Sequence, residues 1–183
     1  MNIGEEIVAA YLQFIKGCEF IQKNLYTPDV QGEIDVVGID INKKELYVCE
    51  VAVHLITGLQ YVKDNQPNNV RKLFDKFSKD IEYSNKYFVD YKKHFMFWSP
   101  VVKNQSKESK HNQLRDIEDL KEEVMQKYGV EIEAIINDKF LNCLTELRNY
   151  AKERTEEIKS PILRLFQVEE YTIKHVNKSI QIK

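Results

Sequence analysis

Apolar and polar residues alternate with strand periodicity in three short segments near the start of the chain. The segments 33–40 and 46–54 lie within GEIDVVGIDINKKELYVCEVAVH and are joined by the polar turn DINKK. A third segment, CEFIQKNL at 18–25, alternates in the same way before a turn marked by Pro28. Such alternation is typical of half-buried strands, so three consecutive strands are predicted here.

Apolar residues recur at helical spacing in much of the remaining chain. Helices are predicted over residues 4–16, 70–84, 113–128 and 138–158, and from Pro161 to about His175. Asn69 is the expected N-cap of the second helix, and Gly129 is the expected end of the third. Residues 55–69 and 103–112 are predicted loops, and the tail 177–183 is predicted to fray or to form a short edge strand.

Two further strands complete the predicted elements. The almost wholly apolar run HFMFWSPVV at 94–102 predicts a strand buried on both faces, and VEIEAII at 130–136 predicts another. The same run favours core packing over base stacking for Phe95, Phe97 and Trp98. Three consecutive strands followed by alternating elements predict an α/β fold with a mixed central sheet flanked by helices.

Chain length and composition fit one such domain. With 183 residues, of which 43% are hydrophobic and 31% charged, the chain is predicted to form a single domain at 1–183. The net charge of −2 gives no global sign of nucleic-acid binding, although a local basic patch can serve a phosphate backbone.

Cysteine usage and the N-terminal segment bear on the compartment. Cys18, Cys49 and Cys143 are far apart and show no Cys-x-x-Cys spacing, which predicts buried thiols in a reducing compartment. The N-terminal segment carries acids where a signal peptide has a basic region. No apolar run approaches the roughly 20 residues that a membrane span needs. We therefore expect a cytoplasmic protein without a membrane partner.

Two carboxylates occupy positions in the predicted strands where apolar residues would pack better, namely Asp35 and Glu50. Such groups are costly unless they are hydrogen-bonded or metal-bound, which marks them as candidates for chemistry. Strand alternation places Glu50, Ala52 and His54 on one face. If Asp35 faces Glu50 from a neighbouring strand, the two carboxylates would suit Mg²⁺ and a substrate phosphate. The alternative is that both carboxylates lie at strand ends in water.

A set of motifs is spaced across residues 4–53. The set comprises Gly4-Glu5-Glu6-Ile7 with Tyr11-Leu12, then Gly17, Ile21 and Asn24, then Gly32-Glu33-Ile34-Asp35, and finally Val48, Glu50 and Val51. In this order they resemble the opening helix, the first strand, the metal-binding strand and the start of the Glu-x-Lys strand of the PD-(D/E)XK nuclease superfamily. The spacing looks closest to the small bacterial branch related to Holliday-junction resolvases.

The resemblance implies a restriction-endonuclease-like architecture, with residues 1–100 as the nuclease-like core and 101–183 completing it. It implies a metal-dependent nuclease that hydrolyses DNA phosphodiester bonds in defence or repair, and two-strand cutters of this fold often act as homodimers. Asp35 and Glu50 would be ligands of Mg²⁺ (or Mn²⁺). Glu6 or Glu5 would be an auxiliary ligand or would orient a metal-bound water. Both glutamates also suit the first turn of a helix electrostatically without any role in chemistry.

The chain departs from the family pattern at Ala52, which stands where the catalytic lysine should be. That lysine holds the attacking water and stabilises charge on the phosphate. His54, one step further along the same strand face, is one candidate replacement, as base or ligand. A lysine from the next helix, Lys72 or Lys76, is another. The third reading is a catalytically degenerate nuclease-fold protein that acts as a nucleic-acid-binding or protein-binding module.

A basic set could line a phosphate track on such a protein. Its members are Arg71, Lys72, Lys76, Lys79, Lys92, Lys93, Lys103, Lys107 and Lys110. Asp75, Asp80 and Glu82 are interspersed among them, which is more typical of an ordinary mixed surface.

Overall fold

A five-stranded sheet forms the centre of the computed structural model, which describes residues 2–105 and 111–181. Its strands, in spatial order, are β1 (Phe20–Thr27), β2 (Gly32–Asp40), β3 (Glu45–Val51), β6 (Lys92–Ser99) and β7 (Ile132–Ile136). A separate two-stranded hairpin consists of β4 (Val62–Lys63) and β5 (Gln66–Pro67). The α-helices are α1 (Ile3–Tyr11), α2 (Asn69–Tyr87), α3 (Gln113–Tyr128), α4 (Asp138–Lys152) and α5 (Pro161–Gln181), and α1 continues as a π-helical segment, Leu12–Lys16.

The sheet is mixed, as the order of elements predicts. β1 pairs with β2 and β2 with β3 in antiparallel fashion, whereas β3–β6 and β6–β7 are parallel. Parallel neighbours need a crossover, and α2 and α3 provide it between β3 and β6 and between β6 and β7. The predicted α/β class with a mixed central sheet flanked by helices is therefore confirmed.

The sheet separates two apolar cores. Helices α1, α4 and α5 pack on one face, and α2 and α3 pack on the other. Successive residues of β6 point to opposite cores, with Phe95 and Phe97 on the α2 side and Met96 and Trp98 on the α1 side. All four are buried, so the prediction of a strand buried on both faces is confirmed, as is core packing of its aromatic residues. The three cysteines are also buried, as predicted.

Four local predictions differ from the structure. Helix α4 ends at Lys152 and not near 158, because the buried Gln167 amide donates to the carbonyls of Arg154 and Glu156 and accepts from the Ile158 amide. The predicted fraying or edge strand at 177–183 is wrong over 177–181, which continue α5; no glycine or proline interrupts that helix after Pro161. Residues 182–183 lie outside the described part of the chain.

The other two differences lie just before α2. The predicted loop 55–69 contains the β4–β5 hairpin, whose turn residues Asp64 and Asn65 both have positive φ (51° and 59°). Asn69 is not an N-cap but the first residue of α2, and Asn68 precedes it. The buried Asn69 side chain instead accepts from the Tyr61 amide at 2.7 Å.

No helix within the described residues combines the length and the apolar character that crossing a membrane requires.

Helix α1 approaches β3 closely at Gly4. The Asn2 side chain caps the helix by accepting from the Gly4 amide at 3.1 Å. A Cβ added at Gly4 would clash with Val53 Cγ2 and would lie 2.9 Å from Val51 Cγ1. The absence of a side chain here lets the start of α1, with its acidic residues, reach the end of β3 that carries Glu50.

Replacement of Gly4 by alanine should therefore destabilise the protein. In an open helical position the same change would stabilise by roughly 0.5–1 kcal/mol. Here the clash with two valines should reverse the sign and lower the free energy of unfolding by about 1–3 kcal/mol. Urea unfolding of wild type and Gly4→Ala measures this difference. An alanine variant as stable as wild type would contradict the close approach of α1 and β3.

Candidate functional site

Asp35 and Glu50 lie side by side on adjacent strands. Val36 of β2 pairs with Cys49 of β3, and the next step along the same antiparallel ladder brings Asp35 opposite Glu50. The Asp35 carboxylate also accepts a hydrogen bond from the Val51 amide at 2.7 Å. This bond anchors the Asp35 carboxylate to the end of β3.

Lys76 of α2 joins the two carboxylates. Its Nζ atom lies 3.4 Å and 3.5 Å from the two carboxylate oxygens of Asp35 and forms an ion pair with Glu50 Oε2. The neighbouring turns of α2 bury Leu73 and Phe77 in the core beneath, which directs the intervening Lys76 toward the strands. The helix thus supplies an ammonium group to the position beside both acids.

Burial dominates the electrostatics of Glu50, whose side chain is 1% exposed. Desolvation, with the nearby Asp80 and Asp35 carboxylates, raises the pKa of Glu50 well above its ordinary value, while Lys76 opposes this shift. Burial alone would lower the pKa of Lys76, but the Glu50 and Asp35 carboxylates raise it above its ordinary value. Lys76 therefore stays charged, and its charge is what makes an ionised Glu50 tolerable at this depth.

Asp80 adds a third carboxyl group to the cluster. It lies one helical turn after Lys76, is 2% exposed and contacts the Glu50 carboxyl group. Burial raises the pKa of Asp80 to about 7, against the effect of Glu50 and Lys76. The two carboxyl groups form a side-chain hydrogen bond, which requires a shared proton. No other donor within the described residues reaches Asp80 Oδ2 or Glu50 Oε1. The interpretation of Asp80 as part of an ordinary solvated surface is therefore wrong, because the side chain faces the sheet.

The structure distinguishes between the two glutamates of α1. Glu5 is buried, and its carboxylate accepts from Asn2 at 2.6 Å and from Asn24 at 3.0 Å. The register of β1 and β2 places Asn24 opposite Asp35, so Glu5 lies on the same side of the site. Glu6 instead forms an ion pair with Lys23 and lines a different cavity. Of the two, Glu5 is the one that borders the candidate site.

An open cavity of about 720 Å³ lies over the cluster. Asp35, Lys76, Asp80 and Glu5 are in its wall. Its other charged lining residues are Glu33, Arg71, Lys72, Asp75, Lys79, Glu82 and Lys127. Four members of the predicted phosphate track therefore meet here, although acids accompany them. Lys93 and Lys103 line other cavities, and Lys107 and Lys110 lie outside the described residues.

Neither of the residues that follow Glu50 along its strand face contributes to the cluster. Ala52 is 3% exposed and packs in the apolar core with Leu73 and Phe77. His54 lies beyond the end of β3 with an exposed side chain, and its ring meets the Tyr61 ring edge-on at 6.5 Å. Among the described contacts, none joins the His54 side chain to Asp35 or Glu50.

Sequence reasoning missed Asp80 and the position of Asn24. A signal for Asp80 was available, since it lies seven residues after Leu73 and three after Phe77, on the apolar stripe of α2. An aspartate on such a stripe is costly to bury and therefore noteworthy. For Asn24 the only signal was its membership of the motif set, since its place opposite Asp35 depends on strand register.

The donor set fits a hard divalent cation. Carboxylate oxygens are the ligands such ions prefer. Glu50 Oε1 is buried, and among the described residues no donor other than the neighbouring Asp80 carboxyl group is available to it. No group of three or more His, Cys, Asp or Glu side chains in residues 2–105 and 111–181 is already arranged to hold a metal ion. In this arrangement the cation between Asp35 and Glu50 is the Lys76 ammonium group.

Comparison with protein-family models, with curated proteins and with solved structures gave no match to this chain.

The raised pKa of Asp80 predicts a pH-dependent contribution to stability. In the unfolded chain an aspartate ionises near pH 3.9, whereas Asp80 in the fold ionises near 7. Between about pH 4 and pH 7 the folded state therefore binds more protons, so its stability falls as pH rises. Asp80→Asn removes this titration. Its free energy of unfolding, relative to that of wild type, should therefore rise by on the order of a few kcal/mol between pH 4 and pH 7.

Denaturant unfolding of both proteins across this pH range, with a chelator present, measures the difference. Subtracting the free energy of unfolding of wild type from that of the variant at each pH removes the contribution of the other carboxylates. One of these is Asp40, whose pKa is lowered by its bonds to Lys43. Parallel stability profiles for the two proteins would show that Asp80 ionises normally.

Proposed function

We propose that this chain is a metal-dependent nuclease of the PD-(D/E)XK superfamily, with restriction-endonuclease-like architecture, that hydrolyses DNA phosphodiester bonds. The observation that carries the proposal is the position of Lys76. The family pattern needs a lysine beside the Asp and Glu carboxylates, and Ala52 cannot provide it. Lys76 reaches both carboxylates from α2, so the three chemical groups of the pattern meet although the linear motif is broken.

Each group has a role that its chemistry supports. Asp35 and Glu50 would hold Mg²⁺ or Mn²⁺, which when bound polarises the phosphate and activates water. Lys76 places a positive charge beside them, where it can stabilise the negative charge that develops on the phosphate. Glu5, fixed by Asn2 and Asn24, is suited to accept a hydrogen bond from water at the cavity wall.

The surroundings of the cluster support a polyanionic substrate. Arg71, Lys72, Lys79 and Lys127 line the same cavity and carry charges that can meet phosphates next to the reacting one. The acids among them keep the surface from being uniformly basic, in line with the overall charge of −2. Binding to DNA is therefore expected to be modest and strongly dependent on salt.

A second candidate function is a non-catalytic nucleic-acid-binding or protein-binding module. The observation that favours it is the burial of the Glu50–Lys76 ion pair, because a buried glutamate needs such a partner whether or not it binds metal. In that case the pair is structural, and no divalent cation is required.

Plasmid cleavage in Mg²⁺ or Mn²⁺ distinguishes the two. Wild type should cleave, Asp35→Asn should be inactive, and Lys76→Met should lose about 100-fold or more of the rate, since its charge acts on the transition state. Lys86→Met is a matched control on the same helix, because Lys86 is exposed and pairs with Asp29. Its rate should stay within about threefold of wild type.

Loss of the buried pair can also unfold the protein, at a cost of about 3–5 kcal/mol. Lys76→Arg guards against this, because it keeps the positive charge while changing the shape of the cation. A folded Lys76→Arg variant with reduced cleavage supports a chemical role. The nuclease proposal is wrong if wild type shows no metal-dependent cleavage, or if Asp35→Asn cleaves as wild type does.

The two glutamates of α1 provide an independent test. Glu5→Gln should lower the cleavage rate by about 10- to 100-fold, as expected for a group that supports the residues around a metal. Glu6→Gln should leave the rate nearly unchanged, because Glu6 pairs with Lys23 away from the cavity. The reverse order of effects would contradict the placement of α1 against the site.

A further inference from the structure

Asp80 is a buried acid that the family pattern does not assign. Its side chain is 2% exposed, it borders the cavity over Asp35 and Lys76, and it contacts Glu50. Apart from the hydrogen bond between the two carboxyl groups, no donor within the described residues reaches Asp80 Oδ2 or Glu50 Oε1. We propose that Asp80 is a third carboxylate of the divalent-cation site that Asp35 and Glu50 form, an inference that rests on the proposed function.

The charges of the cluster support this assignment. The Lys76 ammonium group pairs with Asp35 and Glu50, and both Lys76 and Lys79 lower the pKa of Asp80. The Lys79 ammonium group itself donates to the Gln31 carbonyl at 3.0 Å. When all three acids are ionised, they carry two more charges than Lys76, the lysine that pairs with two of them, can balance. One divalent cation would match that excess.

The position of Asp80 on α2 adds a geometric reason. Lys76 and Asp80 are four residues apart, so they lie on the same face of the helix and reach the same strand residue, Glu50. One rigid element therefore carries both a positive and a negative group to the site. A bound cation would be enclosed between the carboxylates of the two strands and the carboxylate of the helix.

A shared proton joins Asp80 to Glu50 when no metal is bound. The two carboxyl groups form a side-chain hydrogen bond, which is possible only if one of them carries a proton. A divalent cation bound by the three acids would displace this proton and use the oxygens that it held.

Titration of Mn²⁺ by calorimetry tests the assignment, with wild type, Asp35→Asn and Asp80→Asn compared. The exposed Asp119 on α3 gives a matched control, Asp119→Asn. Asp80→Asn should weaken Mn²⁺ binding by about 10- to 100-fold, and Asp119→Asn should bind as wild type does. Without metal, Asp80→Asn should melt at a higher temperature than wild type, and added Mn²⁺ should raise its melting temperature less.

The outcomes separate the two proposals. If wild type binds Mn²⁺ and Asp35→Asn weakens it, but Asp80→Asn loses less than tenfold, Asp80 is not part of the site and the proposed function stands. If wild type does not bind Mn²⁺, both fail together. If Asp80→Asn does not fold, Asp80→Ser receives the same titration and the same criterion. A folded variant that melts lower and binds Mn²⁺ normally assigns Asp80 a structural role.

Discussion

The carboxylate of Glu50 sets the constraint around which the structure is arranged. It is almost fully buried on a strand in the centre of the sheet, where an isolated charge would be far too costly. Lys76 provides the counter-charge, yet an ion pair at this depth gains little net free energy of its own. The apolar packing of Leu73, Phe77 and Ile81 holds α2 in place. Hydrophobic burial therefore positions the ammonium group, and the ammonium group makes the acid tolerable.

The same helix adds a second buried acid beside Glu50. Asp80 follows Lys76 by one turn and hydrogen-bonds to the Glu50 carboxyl group, which requires the two acids to share a proton. Local choices in a protein usually agree with the global fold, and exceptions concentrate where function requires them. Among the described residues, buried polar atoms without a partner also occur outside this pair, as Ser84 Oγ and Thr27 Oγ1 show, whereas Gln167 and Asn69 are hydrogen-bonded. The pair at Glu50 differs from these in charge, because two acids in contact at this depth cannot both ionise without a cation beside them.

Much of the fold follows from the local pattern of apolar and polar residues. The site depends in addition on how each helix is rotated about its own axis, which that pattern does not determine. Strand β6 and helix α3 appear as predicted because apolar runs and helical spacing are properties of consecutive residues. The end of α4 was missed because a distant side chain, Gln167, determines it. The rotation of α2 about its axis decides that Lys76, and not Lys72, faces the two carboxylates. In the same way, the rotation of α1 decides that Glu5, and not Glu6, faces the site. A rotation of one residue, about 100°, separates a group that faces the cavity from one that does not.

The burial of Ala52 has a consequence for how such a site can vary. A lysine at that position would place a long charged side chain inside the apolar core that contains Leu73 and Phe77 of α2. Adding it to the present chain would overpack that core, and removing Lys76 alone would leave Glu50 without its ion-pair partner. Moving the ammonium group from the helix to the strand would therefore take at least two coordinated changes.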